Sequence, residues 1–416
     1  MNEKTKIHYG WIVIAMGALT TIGAHGFGRM AFTPILPHMI DGLKLTYTQS
    51  GILGTGNFFG YLTFALVGGF LAAKYGTRIV ISCSLVVMGI TMILTGISEN
   101  FGFALTMRIL TGMGNGAAYV PAMALGSAWF SVGRRGLATG IVTSGIGLGT
   151  LISGLVVPLI LQVYGGEGWR FCWYWLGGAV LVIAGICGLF MRSRPEELGL
   201  APVGSGSTGK ESLSKQGPKA LSWRPIYGVK EVWHLGIVYF MYGFSYIIYM
   251  HFFSTYLERE MGLASSQAGM LWAWAGGLSI FCGIIWGGVS DLIGRRYGAA
   301  LAYLTLAFSY LVFGLYKSMV GFSLSAVVFG ITAWSIPTIM AAAAGDYVGP
   351  RLAPAGLGFI TVFFGAGQAI GPYVGGLLAD MTGSFTLSFA LASGISVMGA
   401  VGSITLRRPR GEARNP

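Results

Sequence analysis

Arg29 and His25 are the residues whose chemistry most needs explaining. Arg29 lies in a run of about 28 mostly apolar residues from Tyr9 to Leu36. A guanidinium near a bilayer centre costs roughly 2.5–3.5 kcal/mol on insertion scales, and in proteins it stays protonated. A chain keeps such a group where the charge has a partner or a task. His25 is four residues away and shares a helical face with it. Gly23, Gly26 and Gly28 surround the pair and allow bending or close helix approach. Tyr239, Tyr242, Tyr246 and Tyr249 follow helical spacing on one face of a second apolar run. Further polar groups in apolar runs are Arg108, then Asn115 and Tyr119 one turn apart, and His251, five residues and about 140° around the helix from Tyr246. Trp334, Trp272 and Trp274 are candidate cavity walls. The fourteen acids all fall in loops, tails or the ends of apolar runs. No carboxylate in mid-span is available to neutralise Arg29 or Arg108, or to carry protons. A buried cation of that kind favours an anionic ligand, and Arg suits a carboxylate through bidentate hydrogen bonds. The plainer readings are a structural Arg satisfied by backbone carbonyls, a packed core His and a tyrosine stripe that is ordinary packing.

These residues must be positioned by membrane helices. The chain has 416 residues, 54% hydrophobic and only 10% charged, against about 25% charged in soluble proteins. Its mean hydropathy is +0.69. Apolar stretches begin near Tyr9, Tyr47, Ile79, Phe101, Leu137 and Trp169, and again near Val232, Gln267, Tyr297, Gly321, Ala355 and Phe385. That predicts an all-α membrane protein of twelve transmembrane helices. With both termini cytoplasmic, 20 of the 26 Lys and Arg lie on the cytoplasmic side, four lie outside, and Arg29 and Arg108 lie within spans. The positive-inside rule sets that orientation. The basic residues sit at span ends, so the net charge of +12 does not indicate nucleic acid. The four Cys read as buried small hydrophobes without disulfide or metal spacing. The N-terminal apolar run is too long for a signal peptide and reads as a retained first span.

The expected organisation is a six-helix bundle over 1–191, a Gly-, Ser- and Pro-rich cytoplasmic linker over 192–231, a second six-helix bundle over 232–406 and a basic tail over 407–416. The bundles repeat each other. Gly69 to Arg78 matches Gly287 to Arg296, with Ala73 opposite Asp291; GFGR at Gly26 matches GFSY at Gly243; YVPAM at Tyr119 matches SIPTI at Ser335; GLATGI at Gly136 matches GLGFIT at Gly356. The spacings fall between 216 and 220 residues. Two parallel repeats imply a substrate site where they meet.

The loop pattern G-x-L-A-D-x-x-G-R-R, present at Gly69 to Arg78 with Ala73 for its acid and more fully around Asp291, Gly294, Arg295 and Arg296, resembles that of the major facilitator superfamily. Arg108, Gly112 and Gly114 resemble its R-x-x-x-G-x-G pattern in span four, and Gly371-Pro372 with Gly375-Gly376 its G-P-x-x-G-G motif. The antiporter form of that motif in span five is absent. GFGRMAFTPILPHM and YGFSYIIYMHFFSTYL are similar to the bacterial YbfB-like branch, with oxalate/formate and monocarboxylate porters as better-understood comparisons. The resemblance implies two pseudo-symmetric six-helix bundles, a monomer, and a cavity lined by spans one, four, seven and ten. The expected function is secondary transport of a small organic anion, a monocarboxylate first, by alternating access in a bacterial cytoplasmic membrane. The expected substrate-binding residues are Arg29, His25, Asn115, Tyr119, Tyr242, Tyr246, Tyr249 and Trp334. Candidates for proton coupling are His25, whose imidazole type titrates near neutral pH, Arg108 and His251. Asp291, Arg295, Arg296 and Arg78 form the expected conformational latch. The partners are an anionic substrate, the bilayer, and protons or a counter-anion. No cofactor, metal or catalytic residue is expected. The alternatives are an exporter of amphipathic drugs or metabolites and, less favoured, a membrane sensor; no enzyme motif appears.

Overall fold

The computed structural model describes residues 8–204, 228–348 and 352–406. Most of the expected linker and the basic tail lie outside them. Apart from turns and one isolated β-bridge between Phe130 and Val203, the described chain is helical: α1 Tyr9–Thr21, α2 Phe32–Leu43, α3 Tyr47–Tyr75, α4 Thr77–Ile97, α5 Phe101–Trp129, α6 Arg135–Tyr164, α7 Gly168–Phe190, α8 Lys230–Thr255, α9 Ser265–Ile293, α10 Arg295–Leu315, α11 Met319–Thr332, α12 Ser335–Val348, α13 Ala353–Thr382 and α14 Thr386–Ile404. Ten stretches among the described residues are long and apolar enough to cross a membrane. The expected twelve differ from these at two places. Arg135–Phe190, which contains α6 and α7, runs on as one stretch of 56 residues, and α5 with its Arg108 is not among the ten. Large apolar side chains such as Leu66, Ile284 and Leu292 are 78%, 79% and 86% exposed, which suits lipid and not water.

The turns reproduce the repeat at a fixed spacing of 218 residues. Positive φ occurs at Lys44 and Gly262, at Gly76 and Gly294, and at Gly165 and Gly383. Gly76 and Gly294 have nearly identical backbones, φ 87° and ψ 149° against φ 88° and ψ 149°, a conformation that a Cβ disfavours. Each breaks the chain between a 29-residue helix and a 21-residue helix. Asn100 and Ser318 cap the next helices of each half, accepting from Phe103 N at 2.9 Å and Gly321 N at 3.2 Å.

Two irregularities break the symmetry. The glycine-rich stretch Ile22–Met30 is a π-helix, whereas the corresponding part of α8 is regular. A second, shorter π-turn spans Tyr256–Glu260. In the other half, α5 is continuous where α11 and α12 are separated at Ala333 and Trp334. Pro121 lies within the continuous α5, so proline alone does not make that break, but Pro337 has no N–H for the Ala333 carbonyl four residues back. Tyr242 donates its hydroxyl to that carbonyl instead.

Contacts group the chain into Met1–Leu43 with Gly56–Lys215, and Lys44–Thr55 with Gln216–Pro416. The first turns of α3 therefore count with the second unit, apart from the rest of the 1–191 segment. Asp380 is one reason. Its carboxylate accepts from Tyr47 N at 2.9 Å, Thr48 N at 2.7 Å and Thr48 Oγ1 at 2.6 Å, capping the α3 N-terminus where negative charge is favoured. Thr55 Oγ1 donates to Ala369 O at 2.6 Å in the same seam.

In the first unit α3 and α5 approach through glycine. A Cβ on Gly112 would lie 1.9 Å from Asn57 O. Gly112→Ala is expected to force the helices apart at a cost of roughly 1–3 kcal/mol or more, read as a fall in Tm of detergent-purified protein together with loss of transport. An unchanged Tm would show that the seam has slack.

Candidate functional site

The π-stretch carries both His25 and Arg29. It is built from IGAHGFGRM, and its glycines let it sit against neighbours: Gly26 faces Gly149 of α6 so closely that an added Cβ would be 2.5 Å from the Gly149 Cα. π-turns inside helices recur at functional sites, and irregular backbone in membrane helices is confined to buried or cavity-lining positions. His25 is 5% exposed. Its ring lies 4.2 Å from that of Tyr119 and 5.5 Å, edge to face, from that of Tyr61. The half-buried Arg29 holds its guanidinium carbon 5.0 Å from the Phe58 ring centre and 5.8 Å from that of Tyr61, within cation–π range. Tyr61 and Tyr119 are 6.4 Å apart. His25, Arg29, Tyr61 and Tyr119 thus form one cluster, with Phe58 one turn from Tyr61 on α3. His25 Nδ1 is buried and makes no hydrogen bond.

Phe58 and Tyr61 were missed. They lie on α3, outside the cavity lining expected of spans one, four, seven and ten, although an aromatic pair at i and i+3 marks a shared face.

Asn115 and Arg108 have different surroundings. Asn115 Nδ2 donates to Ala24 O at 2.7 Å. Arg108 Nη1 donates to Gly28 O at 3.0 Å, and the guanidinium carbon lies 4.3 Å from the Phe32 ring centre and 5.1 Å from the Trp173 ring centre. Both side chains are fully buried or nearly so, at 0% and 1% exposed. Seven residues apart on one face of α5, they grip the π-stretch by its carbonyls.

In the second unit, Tyr239, Tyr242 and Tyr246 stack with Phe364 of α13, with ring planes within 13° of parallel. Gln368 Nε2 donates to the Tyr246 hydroxyl, and Trp334 meets the Tyr246 ring edge to face at 6.1 Å. Gln368, 1% exposed, was also missed; an amide inside an apolar run was the available signal. Tyr249 shares the helical face, three residues and roughly 4.5 Å beyond Tyr246. It is wholly buried among Tyr310, Phe313 and Phe329, and its hydroxyl is 2.7 Å from Ser325 Oγ. His251 also stands apart from the ladder, its Nε2 2.9 Å from Ser50 O. Trp272 packs on Phe253 at 5.3 Å, and Trp274 is 44% exposed.

The expected latch residues occupy two turns. Arg295 pairs with Asp291, lies 3.4 Å from Asp346 and donates to Ser290 Oγ at 2.7 Å. Asp346 is a third ionic member not foreseen from the loop motif. Arg296 turns aside onto Tyr297, donating to its hydroxyl at 2.7 Å. Arg78 donates from Nε to Gly188 O at 2.7 Å and from its amide to Ser193 Oγ at 3.2 Å.

Removing the Tyr61 ring strips a neighbour from both His25 and Arg29. Aromatic and cation–π contacts of this kind are each worth about 0.5–1.5 kcal/mol. Tyr61→Leu is therefore expected to lower uptake at low substrate about tenfold, with an unchanged size-exclusion profile, and Tyr61→Phe to retain most activity. Wild-type uptake by Tyr61→Leu would remove this cluster from consideration.

Comparison with known proteins agrees with this architecture. Residues 21–403 match the sequence family described as "Uncharacterised MFS-type transporter YbfB". The chain is 26% identical to a probable sulfoacetate transporter of Cupriavidus necator over 403 residues, covering 90% of this chain and 89% of the relative. It is 26% identical to a hexuronate transporter of Bacillus subtilis, covering 92% and 91%, and 27% identical to a 3-(3-hydroxy-phenyl)propionate transporter of Escherichia coli, covering 87% and 86%. Among solved structures, a bacterial homologue of the human lysosomal transporter Spinster, inward-facing and occupied, superposes with a TM-score of 0.80 at 16% identity over 98% of both chains. A D-xylose–proton symporter gives 0.74 at 12% identity, over 98% of this chain and 100% of that one. At such identities the structures establish the fold alone. The match across nearly the whole sequence places this chain in the major facilitator superfamily, as a member of its YbfB-type family of membrane transporters.

Proposed function

We propose that the protein is a secondary transporter of a small organic anion, with a monocarboxylate as its preferred class, and that Arg29 binds the carboxylate. The observation that carries this reading is a half-buried guanidinium within a π-helical stretch, walled by Phe58 and Tyr61 beside His25 and Tyr119, in a chain whose acids all lie at span ends or outside the spans. Arg presents a planar fork that matches a carboxylate with two parallel hydrogen bonds. The relatives support the class: sulfoacetate, hexuronate, tartrate and hydroxyphenylpropionate, named for those transporters, are all carboxylates.

In this reading Tyr119 supplies a hydroxyl and Tyr61 its aromatic ring, and Tyr242, Tyr246 and Trp334 are proposed for the same substrate. The same reading takes twelve spans, with α6 and α7 as two and α5 included, in a bacterial inner-membrane protein whose termini are cytoplasmic, supported by the 20-to-4 charge asymmetry of its loops. The protein acts as a monomer whose two bundles alternately expose the site, with the Asp291–Arg295–Asp346 turn as a latch. His25 is the proposed carrier of any coupled proton.

A thermal-shift screen of purified protein tests the class. Small monocarboxylates are expected to raise Tm in a saturable way, by about 2.7 kcal/mol of added stability at a hundred times Kd. Lipophilic cations are expected to leave it unchanged. Stabilisation by lipophilic cations and by no carboxylate would replace this reading with drug export.

A further inference from the structure

The two copies of the loop motif have diverged in charge. In the second copy Asp291 and Asp346 neutralise Arg295. In the first copy Ala73 stands where Asp291 does, and Lys74, Arg78 and Arg194 form no ion pair among the described residues. These three cations line one cavity of about 1050 Å³, held wholly within the first unit. Its lining includes a single carboxylate, Glu197, which accepts the Ser193 amide at 3.3 Å. Ile79 and Val120 give it an apolar wall, and Ser82 lines it with an Oγ that is buried and makes no hydrogen bond.

We propose that this cavity binds a phosphate-bearing anion whose charge takes the place of the carboxylate absent at Ala73. Three cations against one acid, in a cleft with low-dielectric walls, concentrate positive potential. Phosphate oxygens accept charge-assisted bonds from Arg and Lys together. The volume is that of a cleft for a drug-sized ligand, more than inorganic phosphate fills, and the apolar wall suits a hydrocarbon continuation. Basic pockets at the ends of membrane helices accept phospholipid headgroups for the same reasons. The ligand would hold the α3–α4 turn as Asp291 holds the α9–α10 turn. The site shares no residue with the Arg29 cluster, so either can fail without the other.

The test uses full-length protein in nanodiscs of phosphatidylcholine, with or without phosphatidylglycerol, and inorganic phosphate as a separate arm. Retained lipid is counted by native mass spectrometry, and Tm is recorded in each arm. Lys74 and Arg194 are exposed, so Lys74→Gln and Arg194→Gln should fold. Each is expected to weaken binding roughly fivefold. Ala73→Asp, also at an exposed position, is expected to weaken binding by restoring the missing acid. Retention of phosphatidylglycerol that these variants reduce supports a lipid headgroup as the source. Stabilisation by inorganic phosphate in phosphatidylcholine, with the same dependence on the variants, supports a soluble phosphate. The proposal is overturned if wild-type protein binds neither probe, or if all three variants bind them as wild type does.

Discussion

Arg29→Lys protein reconstituted into liposomes is expected to fold normally and to take up a carboxylate substrate about 10- to 100-fold more slowly than wild type at low substrate concentration. The substitution keeps the positive charge and removes the planar fork. Hydrogen bonds to charged groups are worth about 1.5–3 kcal/mol, and each 1.4 kcal/mol is about a factor of ten. Lys presents a compact ammonium that can make one good contact where Arg makes two. It also fits less well over Phe58 and Tyr61, whose ring centres lie 5.0 and 5.8 Å from the guanidinium carbon. Arg29→Ala is expected to fall further, because charge and fork are both gone. The comparison separates two roles. If only the charge mattered, Lys would transport like Arg. If Arg29 were a structural cation, Arg29→Ala would lower the Tm of ligand-free protein and its uptake together. Transport by Arg29→Ala at the wild-type rate would end its assignment to the substrate.

The helices and their turns were largely legible because hydropathy and backbone chemistry are local. Gly76 and Gly294 mark the same turn in both halves, and their φ angles agree within a degree. Sequence matching spread the repeat over 216 to 220 residues, whereas the paired turns share a single spacing. The π-turns at Ile22–Met30 and Tyr256–Glu260 fall at different depths in spans one and seven, where local register can slip relative to the flanking turns. The glycines of the first stretch signalled bending, but an i+5 pattern depends on what packs against it, which one strand of sequence does not state. The site was legible one helix at a time. Spacing puts His25 and Arg29 on one face; it gives no means of knowing that Tyr61, from the second span, touches both. Tyr249 shows the complementary limit. Periodicity reports azimuth around a helix and is silent on what packs there, so the shared face of Tyr246 and Tyr249 gives no sign of the Ser325 hydroxyl and the Tyr310, Phe313 and Phe329 rings that surround Tyr249.

Asn115→Asp is expected to lower the Tm of ligand-free protein and to reduce transport by at least about tenfold, and Arg108→Ala to do both more severely. A polar side chain in an apolar helix demands a reason. Backbone recognition is a sufficient one. Asn115 donates to Ala24 O and Arg108 to Gly28 O, one on either side of His25 and Gly26 in the stretch that presents the site. Asp has nearly the shape of Asn and no amide donor, so the Ala24 carbonyl would lose its 2.7 Å partner and face an acceptor. Stranding a buried polar group costs about 1–3 kcal/mol, enough at the upper end for the tenfold loss. Arg108→Ala also empties the slot between Phe32 and Trp173, adding a cavity term and a desolvated cation–π term of about 2 kcal/mol. Arg108→Lys should recover part of the Tm by reaching Gly28 O with one donor. The decisive measurement is made without substrate. If Asn115 only contacted ligand, Asn115→Asp would leave the ligand-free Tm untouched. If Arg108 carried protons, Arg108→Lys would shift the pH dependence of transport while sparing that Tm. Residues that hold the π-stretch should instead move stability and the affinity for carboxylate together, because the backbone they grip is the one that aims His25 and Arg29.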